Sequence, residues 1–207
     1  LAESGGGTPN VPGSFTLDVK DNLIEIKGMD PEGLRDGVVR LVHEMGLREA
    51  PFVLKGERSF SPRIPVRLGA IPHMGSYRDL VFMGYNAVFA GGGSLYALST
   101  SNAIPELVER RSPGSLDANR AAVAEARRYG LKAFAFIDIR QKFPKDHPVF
   151  QKHPEIRGAL TWKADGEYVL CTEHPLVKQY LTESVEGLFR EVPGLEGITL
   201  IIGGEGF

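Results

Sequence analysis

Four short apolar runs, separated by segments of helical character, most constrain what this chain can fold into. The runs cover residues 66–71, 86–90, 131–140 and 198–202. Each is bounded by glycine or by polar residues, as strands buried on both faces of a parallel sheet usually are. Because strands and helices alternate, the sequence predicts an α/β fold of parallel βα units. Four such units fit an open doubly wound sheet or part of a (β/α)8 TIM barrel.

The first part of the chain has a different pattern. Residues 1–14 are rich in glycine, serine and proline and are interpreted as a flexible N-terminal linker. Residues 15–60 predict a small α+β domain, which is too small to form a comfortable independent core. Residues 61–207 then hold the βα units. Since a complete barrel takes about 250 residues, we expect this second region to be the first half of a truncated one.

Within the α+β domain, local signals predict a hairpin, a helix and a further strand. Strands at 15–20 and 23–27 flank an Asp-Asn turn. Asp30 and Pro31 are a typical helix start, and Gly46 is a typical end. The predicted apolar face of this helix consists of Leu34, Val38, Leu41, Val42 and Met45. A strand is predicted at 51–55.

Composition excludes several classes of function. The net charge of −2 has no basic block to attract nucleic acid, and no apolar run reaches the roughly 20 residues of a membrane helix. Cys171 is the only cysteine, so an intrachain disulfide is impossible. Gly91–Gly93 lack the Gly-Lys-Ser/Thr of a phosphate loop, and the histidines in the 141–174 region are not at ligand spacing. The sequence therefore predicts neither a metal nor a cofactor.

Polar side chains follow three of the four predicted strands. His73 follows the first strand, Asp138 and Arg140 end the third, and Glu205 follows the fourth. In α/β folds the ligand site lies beyond the carboxyl ends of the strands, so these residues predict one shared site. Taken singly, each has a simpler interpretation. Glu205 could cap a helix, Asp138 and Arg140 could form only an ion pair, and His73 could be a packing residue.

The order of elements resembles the β-N-acetylhexosaminidases and related barrel glycoside hydrolases. Five segments carry the resemblance. "IEIKGMDPEGLRDGVVRLVHEMG" looks like their small α+β domain, and "SPRIPVRLGAIPH" looks like the entry to the first barrel strand. "FMGYNAVF", "ARRYGLKAFAFIDI" and "LFREVPGLEGITLIIGGEGF" look like the second, third and fourth strands. The resemblance implies that Arg67 binds the substrate sugar. The fourth strand of those enzymes ends Gly-Gly-Asp-Glu, whereas this chain has Gly203-Gly204-Glu205-Gly206. The α-glucuronidases end this strand in Ser-Glu-Gly and are similar at this point, which implies that Glu205 is the acid catalyst.

The function implied by the resemblance is glycoside hydrolysis, with Glu205 as general acid. Arg67, His73, Asp138 and Arg140 would bind the carbohydrate substrate, and the second carboxylate would lie beyond Phe207. The chain alone is then expected to be inactive, and its unpaired strand edges to be covered by a homo-oligomer or by the missing C-terminal half. A secreted or periplasmic location is favoured by the resemblance only. Two alternatives are a non-catalytic carbohydrate-binding or scaffold protein on the same fold, and an open α/β enzyme of unrelated chemistry.

Overall fold

The computed structural model describes residues 2–4, 10–70, 75–161 and 166–201. The chain forms two compact units. Unit 1 runs up to Val88 and includes Arg128–Lys132, and unit 2 consists of Phe89–Arg127 and the residues from Ala133 onward. The units divide within the βα region rather than at residue 60, and the domain limits expected from the sequence stay a prediction.

Unit 1 contains a four-stranded antiparallel sheet in the order β1-β4-β2-β3. Its strands are β1 (Ala2–Ser4), β2 (Phe15–Val19), β3 (Ile24–Gly28) and β4 (Gly56–Ser61). The predicted hairpin is confirmed, with Leu17 opposite Ile26. The predicted strand at 51–55 is wrong, because β4 begins at Gly56. Phe60 of β4 stacks on Phe15 with ring centroids 4.8 Å apart, whereas Phe52 is 70% exposed.

Helix α1 (Pro31–Gly46) lies on this sheet and begins as predicted. The Asp30 carboxylate caps it by accepting a hydrogen bond from the Gly33 amide at 2.7 Å. The predicted apolar face is wrong, since Leu34 and Val38 are each 48% exposed. Gly33 faces the sheet instead, and a Cβ there would lie 2.1 Å from the carbonyl oxygen of Ser14. The helix backbone therefore approaches the sheet too closely at Gly33 for any side chain. Of the predicted face, Leu34, Val38 and Val42 are exposed, whereas Leu41 packs against the core of the sheet.

The remainder of unit 1 begins the parallel arrangement. Strand β5 (Leu68–Gly69) pairs in parallel with the start of β6 (Ala87–Ser94). Helix α2 (Tyr77–Phe82) connects them. Its cap is reciprocal, since Ser76 accepts a hydrogen bond from the Asp79 amide and Asp79 accepts one from the Ser76 amide.

In unit 2, β7 (Lys132–Asp138) lies between β6 and β11 (Leu195–Ile201), and β11 is parallel to β7. The connecting helices include α4 (Pro113–Arg128) and α6 (Pro175–Glu191). Strand neighbours thus follow chain order, and the expected mixed α/β fold with a parallel sheet is confirmed. Strand β6 continues through the glycine run, although the sequence predicted that it ended at residue 90.

The long segment between β7 and α6 forms a small sheet of its own. Its elements are β8 (Phe143–Pro144), α5 (Pro148–Lys152), β9 (Arg157–Leu160) and β10 (Glu167–Leu170), and the strand order is β8-β10-β9. Residues of this segment share a buried core with α3 (Leu95–Leu98) and α6, including Tyr96, Phe143 and Tyr180. Among the described helices, none has the length and apolar character needed to cross a bilayer.

Candidate functional site

Asp138 and Arg140 form an ordered pair at the carboxyl end of β7. The Arg140 guanidinium donates from Nε to Oδ1 of Asp138 at 3.0 Å and from Nη2 to Oδ2 at 3.1 Å. The Arg140 backbone amide also donates to Oδ1 at 2.8 Å. These hydrogen bonds outweigh partial burial and hold the pKa of Asp138 below its usual range. Asp138 is therefore ionised at neutral pH and acts as a hydrogen-bond acceptor rather than as a proton donor.

A polar pocket of 430 Å³ surrounds this pair. Its other lining side chains are those of Ser94, Arg110, Gln141, Lys142, Pro144 and Glu167. The hydroxyl of Ser94, the last residue of β6, donates to the Gln141 side-chain oxygen at 3.1 Å. The ends of β6 and β7 thus contribute hydroxyl, amide, carboxylate and guanidinium groups to one concave surface. Groups of this kind form hydrogen bonds to the hydroxyls of a sugar.

The carboxyl end of β6 is held in place by Asn119 of α4, which is 5% exposed. Its side-chain oxygen accepts a hydrogen bond from the Gly92 amide at 2.8 Å, and its Nδ2 donates to the Gly92 carbonyl at 3.2 Å. Nδ2 also donates to the Ser115 carbonyl at 2.7 Å. Because one amide group satisfies both backbone groups of Gly92, Asn119 positions the strand from which Ser94 reaches the pocket.

Arg67 lies in unit 1, directly before β5, and its guanidinium is engaged by the protein. It donates to the carbonyl oxygen of Gly84 at 2.6 Å and to Asp36 Oδ2 at 2.9 Å. A third nitrogen donates to the carbonyl of Ile64 at 3.0 Å. These contacts give Arg67 a structural role at the amino-terminal start of a strand. Its predicted contact with substrate stays a prediction.

Of the four remaining predicted site residues, two lie within the described part of the chain and two do not. Asp138 and Arg140 are brought together as expected. His73 and Glu205 lie outside the described residues. Sequence reasoning missed Ser94, Arg110 and Glu167, which come from three separate segments. Gln141 and Lys142 carry a local signal, since they continue the polar run that follows β7.

Within the described ranges no group of three or more histidine, cysteine, aspartate or glutamate side chains could hold a metal ion. Two histidines of the 141–174 region have another role. His147 and His174 cap helices through Nδ1, accepting from the amides of Val149 and Leu176 at 3.2 and 3.3 Å. The pKa of His147 is lowered by burial and by the adjacent Arg110 charge. His147 is consequently neutral at pH 7, as its role as a cap requires.

No protein-family model matches the chain, and no curated protein matches it in sequence. Solved structures share its fold. A GH138 enzyme targeting pectin rhamnogalacturonan II aligns with 93% of this chain and 24% of its own length, at a TM-score of 0.61 and 13% identity. A glycoside hydrolase family 20 β-N-acetylglucosaminidase aligns with 92% of this chain and 47% of its own, at a TM-score of 0.54 and 17% identity.

A third neighbour is a β-N-acetylhexosaminidase from Bacteroides fragilis NCTC 9343. It aligns with 88% of this chain and 41% of its own length, at a TM-score of 0.52 and 13% identity. This chain therefore spans between about a quarter and a half of the length of the three structures. At these identities the comparison establishes a glycoside-hydrolase-like fold.

Proposed function

We propose that this chain is the front part of a glycoside hydrolase, consisting of the small α+β domain and the first half of a (β/α)8 barrel. The observation that carries this proposal is the polar pocket at the carboxyl ends of β6 and β7, which holds the Asp138–Arg140 pair. Barrel enzymes place their active sites at this end of the sheet. The glycoside hydrolases among the structural neighbours support the same chemistry.

In this proposal the pocket binds the sugar and Glu205 supplies the proton. Arg140 fixes the Asp138 carboxylate, whose free lone pairs accept hydrogen bonds from sugar hydroxyls. Glu205 comes after β11 in the sequence, and β11 lies beside β7, so we propose that Glu205 acts at the same end of the sheet. Glycines on both sides of Glu205 leave room for a sugar to approach the backbone. The second carboxylate that glycosidases use would come from a later strand.

Two types of glycosidase fit the sequence around Glu205, the hexosaminidase-like and the α-glucuronidase-like. A glycine after Glu205 favours the α-glucuronidase-like arrangement, because hexosaminidases carry their acid at the position of Gly206. His73 follows β5 and is proposed to bind substrate at the same end. For Arg67, the contacts with Asp36 and Gly84 support a positioning role at the base of β5 in addition to any contact with sugar.

Carbohydrate binding by the chain tests this site. We expect Asp138→Asn to weaken oligosaccharide binding about tenfold or more, because an amide accepts fewer and weaker hydrogen bonds than a carboxylate and frees Arg140. The fold should be retained, since the Asp138 side chain is 40% exposed. Binding is measured by isothermal titration calorimetry with ligands first identified on a glycan array.

Asp117→Asn is the matched control. Asp117 also pairs with an arginine of unit 2, Arg120, at 2.6 Å, but it is 77% exposed and lies outside the pocket. This variant should bind carbohydrate as the parent does. Equal affinities for the parent and Asp138→Asn would show that the sugar does not use the β7 end of the sheet.

A further inference from the structure

A second pocket, of 460 Å³, lies in unit 1 between α1 and the segment that precedes β5. We call it the arginine pocket, because its wall includes Arg40, Arg63 and Arg67. It shares no lining residue with the polar pocket at the carboxyl ends of β6 and β7, although its wall includes Arg67, which is also proposed to contact sugar. Its volume falls within the range of about 300–1,000 Å³ that is typical of small-molecule sites.

The charges around the arginine pocket are unbalanced. Asp36, which is 7% exposed, is paired with two arginines, Arg35 at 2.7 Å and Arg67 at 2.9 Å. Glu44, which is 3% exposed, is likewise paired with Arg40 at 2.9 Å and Arg58 at 2.8 Å. Each carboxylate neutralises the charge of only one of its two arginines. Each group of one carboxylate and two arginines therefore has a net charge of about +1.

A third carboxylate, that of Glu32, offsets part of this positive charge. Glu32 lies 3.6 Å from Arg67, but it also lies 3.3 Å from the ammonium of Lys132. Its negative charge therefore offsets part of the charge of both Arg67 and Lys132. The wall of the arginine pocket keeps its positive potential.

Arg63 adds a further cation. It is an exposed residue of the segment before β5, and among the described residues it has no hydrogen-bond or ion-pair partner. Its guanidinium offers five N–H donors, and Arg40 offers those that its contact with Glu44 does not use. Two guanidinium groups with free donors thus line a concave surface of positive charge.

The rest of the wall is apolar. Val39 of α1, Ile64 and Met83 line the pocket beside the arginines, and Ile64 and Met83 are 62% and 58% exposed. Large apolar side chains are unfavourable to leave in contact with water. A ligand whose apolar part covers these side chains and whose anionic group binds the arginines would complement both the apolar and the charged parts of the wall.

We infer that the arginine pocket binds a small organic carboxylate with a ring-sized apolar body. A carboxylate presents two coplanar oxygens to a guanidinium, which matches the paired donors of arginine better than a neutral group does. The apolar body would contact Val39, Ile64 and Met83. Binding at this site is independent of the proposed glycosidase chemistry, and either proposal can fail without the other.

Benzoate is the probe, and the chain is titrated with it in ¹H–¹⁵N and methyl NMR experiments. We expect saturable shifts in the amides of Arg63 and Ile64 and in the Met83 methyl group. Benzamide, which has the same ring without the charge, should bind at least about tenfold more weakly, because charge-assisted hydrogen bonds are replaced by neutral ones. Raising the salt concentration should also weaken benzoate binding.

Arg63→Gln should lower benzoate affinity about tenfold or more while leaving the rest of the spectrum unchanged, since Arg63 has no described contact that supports the fold. Arg78→Gln is the matched control, because Arg78 is an exposed arginine of unit 1 that does not line the arginine pocket. Equal affinities for benzoate and benzamide, undiminished binding in Arg63→Gln, or the absence of saturable shifts in the parent would each overturn the inference.

Discussion

Replacement of Glu205 by glutamine is expected to lower kcat for natural glycosides about 10²–10⁴-fold in the complete enzyme that we propose, while sugar binding is largely retained. The amide keeps the shape of the carboxyl group and much of its hydrogen bonding, but it cannot donate a proton to the leaving oxygen. General acid catalysis typically contributes a factor of this size. This role requires that the carboxyl group of Glu205 holds a proton at the pH of the reaction.

Nitrophenyl glycosides provide the control for Glu205→Gln, and steady-state kinetics is the measurement. Their leaving group needs little protonation, so their turnover should fall much less than that of natural glycosides. Loss of binding and turnover together would instead identify Glu205 as a substrate ligand. A variant that is fully active but melts at a lower temperature would show that Glu205 caps a helix.

Gly92→Ala is expected to destabilise unit 2 by about 3–5 kcal/mol, a loss large enough to unfold a marginal domain. Gly92 has a φ of +143°, a conformation that residues with a side chain rarely adopt. An added Cβ would also lie 2.1 Å from the carbonyl oxygen of Phe136 on β7. Because that oxygen belongs to the backbone of the neighbouring strand, the sheet itself would have to move.

Gly114→Ala is the control for this substitution, and urea denaturation of both variants is the measurement. Gly114 lies in the first turn of α4, and a Cβ added to it would have no neighbouring atom within 4 Å. Alanine favours helices by about 1 kcal/mol over glycine, so this variant should be as stable as the parent or slightly more stable. If both variants unfold at the same urea concentration, the close approach of β6 to β7 at Gly92 is not a constraint on the fold.

The parts of the fold that depend on local signals could be predicted from the sequence. The four βα strands have continuous apolar runs, and α1 has an aspartate cap followed by proline. The face that α1 buries could not be predicted, because periodicity identifies the apolar residues but not the partner they meet. Gly33 determines which face of α1 packs on the sheet, because the absence of a side chain there allows the two backbones to approach closely.

The candidate site likewise contains local contacts, which the sequence predicts, and tertiary contacts, which it does not. Asp138 ends β7 and Arg140 follows only two residues later, so their contact is local in the sequence. Arg110, Asn119 and Glu167 join them, or support them, only after long segments fold back. The order of the chain contains no signal for such contacts. Arg67 was expected among the site residues, but its contacts with Asp36 and Gly84 depend on tertiary packing that the sequence does not show.

Release of sugar from a carbohydrate substrate tests directly whether this chain is part of a glycoside hydrolase. The complete enzyme that we propose is incubated with plant and bacterial oligosaccharides, and released sugars are identified by mass spectrometry beside its Glu205→Gln variant. We predict that the parent releases a sugar from at least one class of substrate and that the variant releases at least about 100-fold less. Tight carbohydrate binding without any release by the parent would contradict it and would identify a carbohydrate-binding protein on a glycoside-hydrolase-like fold.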